Sequence, residues 1–130
     1  KYYYDGKWKE KYELLASHLI GWINGKDWYE LAKISAKIYD MIFTGPVIDE
    51  FKNFKVPVSI IIGTRDRTGP GRNWKKDDAN YELGRYDLLG KKIKKLNNQI
   101  KIVELNGLGH LPQIEDFDKF YIELKKVLLK

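Results

Sequence analysis

A chain of 130 residues is long enough for one domain with a sizeable core, and 43% hydrophobic with 32% charged residues excludes a disordered segment. The absence of cysteine excludes a disulfide framework and a thiolate metal site, and leaves the redox compartment open. The net charge of +6 comes mostly from lysines that alternate with apolar residues, the pattern of solvated helix faces and not of a nucleic-acid surface. No apolar run approaches the ~18 residues of a membrane span.

In chain order, the first 44 residues read as helical. Between Trp8 and Ile23, apolar residues at Trp8, Tyr12, Leu15, Leu19, Trp22 and Ile23 fall close to helical spacing, and Asn24-Gly25 is a stop signal. Asp27 is placed to cap a second helix, with Glu30 three residues on as in a capping box. That helix is predicted to run to about Phe43, with Trp28, Leu31, Ile34, Ile38 and Ile42 on one face, and Gly45-Pro46 ends it. No segment here alternates like a strand, so residues 1–44 are expected to form a helical hairpin or lid, set apart from residues 45–130. The chain opens on Lys1, its one methionine is Met41, and no signal peptide is present; the expectation is a processed, trimmed or incomplete chain.

After Pro46 the character changes. Val47 to Phe54 is a short amphipathic stretch, and Val56-Pro57-Val58-Ser59-Ile60-Ile61-Ile62 reads as a strand. Its near-continuous apolarity predicts burial on both faces, as in a parallel sheet. Residues 67–80 read as a surface loop and 81–96 as a helix, with Tyr81, Leu88, Leu89, Ile93 and Leu96 apolar and Asn97-Asn98 closing it. Ile100 to Leu105 is a second strand, and the turn Asn106-Gly107-Leu108-Gly109 leads to His110. Asp116 can cap a last helix that turns Phe117, Phe120, Leu124, Val127 and Leu128 inward. The order is a βαβ crossover with a covering helix, an α/β class. Two parallel strands do not make a stable sheet, so the remaining strands are expected elsewhere, in an N-terminal part or a partner chain.

Two residues stand where chemistry is expected. Asp66 lies just past the first strand, at the strand end where open α/β sheets place ligands, and a carboxylate there can orient a histidine. His110 follows the second strand, and histidine is the natural general base near neutral pH. Each also has a plainer use: aspartate favours turns, and a loop histidine can serve its own backbone. Adjacent parallel strands end side by side, so the two residues can meet. The other histidine, His18, falls mid-helix and forms no metal-ligand spacing with His110. Gly69-Pro70-Gly71-Arg72 lacks the Lys-Ser/Thr ending of a phosphate loop. Tyr2, Tyr3, Tyr4 and Trp8, interleaved with lysines, could stack on bases, although packing is the commoner use of such aromatics. Glu115 and Asp116 are assigned to the start of the last helix.

The stretch from Val56 to Thr68, ending Gly63-Thr64-Arg65-Asp66-Arg67-Thr68, resembles the acid-bearing strand and loop of α/β-hydrolases. Gly107-Leu108-Gly109-His110-Leu111-Pro112-Gln113-Ile114-Glu115 resembles their histidine loop, and the first 44 residues look like their helical cap. The resemblance implies an incomplete α/β-hydrolase core in which Asp66 is the triad acid and His110 the triad base. The family's nucleophile precedes both, on a Gly-x-Ser-x-Gly elbow that this sequence lacks. Its serines are Ser17 and Ser35, on predicted helices, and Ser59, inside a strand. The implied function is the C-terminal part of a serine-type, esterase-like hydrolase whose nucleophile lies in an absent N-terminal part or a partner chain, with this chain inactive by itself. An aspartate nucleophile would turn the same pair to epoxide or haloalkane chemistry. The resemblance implies no cofactor and no metal; the aromatic cap favours a small or medium apolar, ester-like substrate; and the subgroup's frequent export signals favour a periplasmic or secreted location. The rival reading is a non-catalytic basic module that binds RNA or an acidic partner through its aromatic N-terminal helices, with binding that falls steeply with salt.

Overall fold

The computed structural model describes residues 6–129, so Tyr2, Tyr3 and Tyr4 lie outside the described residues. The chain forms two compact units, one of Trp8–Pro46 and one that runs on from Val47.

The first unit is helical. A 3-10 turn, Glu10–Tyr12, leads into α1, Glu13–Asn24, and α2 spans Trp28–Thr44. Trp8 lies ahead of the helix expected to contain it, with its ring edge-on to Tyr12 at 5.8 Å. Gly25 ends α1 in an extended conformation, and α2 stops where Gly45 donates its N–H to the Met41 carbonyl at 2.9 Å. Asp27 precedes α2, but its side chain caps nothing. Glu30 pairs instead with Lys33 at 2.9 Å, so the capping box does not form. Trp28, Ile34, Ile38 and Ile42 on α2 are exposed. Among the described residues no helix is long and apolar enough to cross a membrane.

The second unit is α/β. A 3-10 segment, Ile48–Asn53, precedes β1, Ser59–Gly63; α3 spans Tyr86–Leu96 and β2 spans Lys101–Leu105. The short α4, Pro112–Glu115, and α5, Phe117–Leu128, complete it. β1 and β2 pair in parallel with Ser59 opposite Lys101 and Gly63 opposite Leu105. α3 crosses between them and packs on both strands: a Cβ built on Gly90 would stand 2.9 Å from Ile102 Cγ2 and 3.0 Å from Ile62 Cδ1. α5 lies against β2. Asn97, just past α3, donates to the Phe51 carbonyl at 3.0 Å and ties the 3-10 segment to the entry of β2. Ile100, Leu105, Leu108 and Pro112 are buried in this unit.

Several expectations for this unit differ from its architecture. The first strand starts at Ser59, later than Val56, because Pro57 has no N–H to give a ladder. Ile60, Ile61 and Ile62 are only half-buried, because the sheet has two strands among the described residues and each strand has one edge without a neighbour. The helix expected from Tyr81 starts at Tyr86, since Gly84 adopts a left-handed φ of 67° and turns the chain hard against residues 67–68. On α5, Asp116 caps as expected, its Oδ1 accepting the Lys119 N–H at 3.1 Å. Phe120, Leu124 and Val127 are half-buried there, while Phe117 and Leu128 are exposed.

The contrast between two glycines gives a test. A Cβ at Gly84 would stand 2.0 Å from the Thr68 carbonyl oxygen, whereas one at Gly107, also left-handed at 78°, would meet nothing within 4 Å. Gly107→Ala should therefore cost only the left-handed penalty of about 1–2 kcal/mol. Gly84→Ala should cost clearly more, because backbone must also move. Urea unfolding midpoints of the two variants compare these costs directly.

Candidate active site

The site is built where β1 and β2 end. Gly63 closes β1, and a Cβ there would stand 2.2 Å from the Gly109 carbonyl oxygen, so the strand end and the histidine loop run backbone against backbone. The close approach is sealed by main-chain bonds: Thr64 donates to Leu105 at 3.2 Å and Arg65 to Leu108 at 2.9 Å. The Thr64 hydroxyl accepts the Gly107 N–H at 3.0 Å and lies 3.2 Å from the Asn106 side-chain oxygen. The residues on either side of this seam are Asp66 and His110.

The two side chains meet across 44 positions of sequence. His110 Nδ1 lies 2.7 Å from Asp66 Oδ2. The Asp66 residue is 4% exposed, while the imidazole is 37% exposed. The second carboxylate oxygen, Oδ1, accepts the Thr68 N–H at 2.7 Å, so both oxygens are engaged. The Thr68 hydroxyl stands 2.9 Å from the same Nδ1. A carboxylate only accepts, so the proton in the Asp66–His110 bond is carried by Nδ1. That tautomer makes Nε2 the basic nitrogen, the one able to take a proton from a partner. Tyr86, the first residue of α3, stands beside the imidazole at 6.4 Å between ring centres.

A chain of ion pairs ties the loop that carries Asp66 to the start of α3. Arg67 donates to the Asp66 carbonyl at 2.6 Å and to the Thr64 carbonyl at 3.0 Å, and reaches Asp87 of α3 at 3.4 Å. Arg85 grips Asp87 through Nε at 2.9 Å and Nη2 at 2.7 Å, and also pairs with Glu82. The hydrogen bond from Arg85 holds the Asp87 carboxyl below the usual aspartate value, with Arg67 adding attraction, against a partial burial that acts the other way. The same bond, with Glu82 helping, raises the Arg85 guanidinium further above its already high value.

The histidine loop has a clamp of its own. Arg65, next to Asp66, donates from Nε to the Gly107 carbonyl at 3.1 Å and pairs with Glu115 through Nη2. Glu115 Oε2 accepts the Gly109 N–H at 2.7 Å. Glu115 ends α4 and leaves the capping of α5 to Asp116; its carboxylate instead brackets the loop that carries His110. Its one sequence signal was an unlike charge, Arg65, beside the candidate acid.

The other candidates are placed elsewhere. The Ser17 hydroxyl donates to the Leu14 carbonyl at 2.6 Å and Ser35 to Leu31 at 2.9 Å, each turned back on its own helix. Ser59 opens β1, at the opposite end from Asp66. His18 packs its ring edge-on to Trp22 at 5.3 Å on α1. Gly71 is left-handed and opens a 3-10 turn, Arg72–Trp74, whose Arg72 bonds the Leu83 carbonyl; this is a loop with a structural task. Among the described residues no cluster of three or more acidic or histidine side chains could hold a metal ion. Open clefts of about 650 Å³, around Lys52 and Lys95, and about 550 Å³, around Tyr81 and Leu88, include neither Asp66 nor His110.

No protein-family model matches this chain, and no curated protein matches it. Among solved structures it is similar to a probable hydrolytic enzyme from Pseudomonas aeruginosa PAO1, with a TM-score of 0.89 and 34% sequence identity over 95% of this chain. The chain spans 40% of the length of that enzyme. The fold is of the α/β class, and it matches part of a hydrolase-like structure.

The depressed Asp87 carboxyl makes a stability prediction with a definite sign. A group whose folded pKa lies below its unfolded one contributes fully above the unfolded value, ~3.9 for aspartate, and loses that contribution as pH falls through the folded one. Asp87→Asn should lower the melting temperature at pH 7. The gap from the unsubstituted chain should narrow as pH falls below 4, and calorimetric scans across pH 3–7 follow it.

Proposed function

We propose that this chain is the C-terminal part of a serine-type α/β-hydrolase and supplies the acid, Asp66, and the base, His110, of a catalytic triad. One observation carries the proposal: a nearly buried carboxylate, bonded on both oxygens, is held 2.7 Å from the Nδ1 of a more exposed imidazole, where two adjacent parallel strands end. This is the strand end at which open α/β sheets act on ligands. The similarity to a probable hydrolytic enzyme supports the general class, and that enzyme's greater length leaves room for the nucleophile and the other strands in a longer protein. The half-buried isoleucines of β1 are consistent with further strands alongside.

In this reading a serine from the rest of the protein stands by His110 Nε2. The imidazole takes the hydroxyl proton as the oxygen attacks an ester carbonyl, and then passes that proton to the departing alcohol. Water repeats the sequence on the acyl-enzyme and regenerates the serine. Asp66 holds the Nδ1–H tautomer throughout and stabilises the transient imidazolium. Residues 1–44 correspond in this reading to the helical cap of such enzymes, the substrate is small or medium, apolar and ester-like, and the chain by itself is inert.

The test uses the complete protein and a p-nitrophenyl ester. Asp66→Asn should lower kcat by about four orders of magnitude and His110→Ala by about six, with the fold intact by circular dichroism. A serine-reactive phosphonate should label the complete protein and leave residues 1–130 unlabelled. Wild-type turnover in both variants would sink the assignment.

A further inference from the structure

We propose that the Arg65–Glu115 ion pair is a positioning device for His110: it locks the loop that presents the imidazole to the strand end that presents Asp66. The inference rests on the Asp66–His110 pairing and adds to it two residues that act through the backbone of the histidine loop.

The geometry is a bracket around three consecutive residues. Arg65 Nε holds the Gly107 carbonyl at 3.1 Å, the Arg65 main-chain N–H holds the Leu108 carbonyl at 2.9 Å, and Glu115 Oε2 holds the Gly109 N–H at 2.7 Å. The Arg65 guanidinium and the Glu115 carboxylate then bond to each other and close the bracket. Their side chains are 22% and 13% exposed, so solvent screens the pair only in part. Arg65 adjoins Asp66, and Gly109 adjoins His110. The bracket therefore sets the separation of the two loops one residue away from the bond that matters.

The loop needs such a device. Gly107 is left-handed with open space about it, and Gly109 has no side chain to pack, so two of the three residues before His110 hold their path through bonds to their main-chain groups. A carboxylate serves better than a neutral acceptor here, because its bond to an N–H is charge-assisted and its second oxygen remains for the guanidinium. A planar guanidinium likewise satisfies a carbonyl through Nε and a carboxylate through Nη2 at once, which an ammonium cannot do with the same fixed geometry.

The experiment is run on the complete protein and reads His110 directly by NMR, through the hydrogen-bonded Nδ1–H proton that resonates far downfield and is lost in Asp66→Asn. In Glu115→Ala that resonance should broaden away through exchange with water, while amides outside residues 105–116 keep their positions. Kinetically, kcat should fall about 10²-fold with little change in KM, the signature of a misplaced catalytic group. Glu115→Gln retains an acceptor for the Gly109 N–H but loses the ion pair, and should fall between Glu115→Ala and the unsubstituted protein on both readouts. A wild-type resonance in a folded Glu115→Ala variant would overturn the proposal. So would loss of folding in both variants, which would make the pair a requirement of the fold and not of the site. The resonance does not depend on turnover: if Asp66→Asn and His110→Ala leave hydrolysis intact, the functional reading fails while the dependence of His110 on Glu115 is still measured.

Discussion

The parallel pairing of β1 with β2 is the constraint on which the rest of this structure depends. With Gly63 opposite Leu105, both strands end at one level, and the next few residues of each chain segment run alongside one another. A slip of one position would send alternate side chains to the other face and part Asp66 from His110. The register is protected at the point of use. The absence of a side chain at Gly63 lets the Gly109 carbonyl come in to a distance that no Cβ would allow, and main-chain bonds from Thr64 and Arg65 seal the seam.

Electrostatics then turn a shared strand end into a defined pair of side chains. Asp66 is nearly buried and keeps both oxygens hydrogen-bonded, which is how a carboxylate is retained away from water without a large penalty. Arg67 fixes its carbonyl and connects the loop to Asp87 at the start of α3. Arg65 and Glu115 hold the partner loop. Arg65 and Arg67 are thus each employed on a carbonyl and a carboxylate at once.

How much of this could be read from the sequence differs from element to element, for reasons that can be named. Strong local signals carried through. Gly45-Pro46 ended α2, Asn97 ended α3, and Asp116 capped α5, each because backbone conformation or a side-chain bond within a few residues decides it. Weaker local signals were overruled by competing contacts. Tyr81 sits in a plausible helical pattern, yet the contact of Gly84 with Thr68 bends the chain and delays the helix by five residues. Asp27 and Glu30 have the spacing of a capping box, but Glu30 finds Lys33 one turn away. The partners of Glu115, the Gly109 amide and Arg65 50 positions earlier, leave no local signal either.

The sequence by itself determined the α/β class, the two strands, the crossover helix and the candidacy of Asp66 and His110, because apolar runs and turn residues encode where strands end and chemistry gathers at those ends. Tertiary structure alone decided that the two side chains bond at 2.7 Å, that Nδ1 is the bonded nitrogen, and that Thr68, Arg65, Arg67 and Glu115 surround them. Hydrogen bonds between residues more than 40 positions apart depend on the register of two strands and the path of two loops, and no local pattern records either.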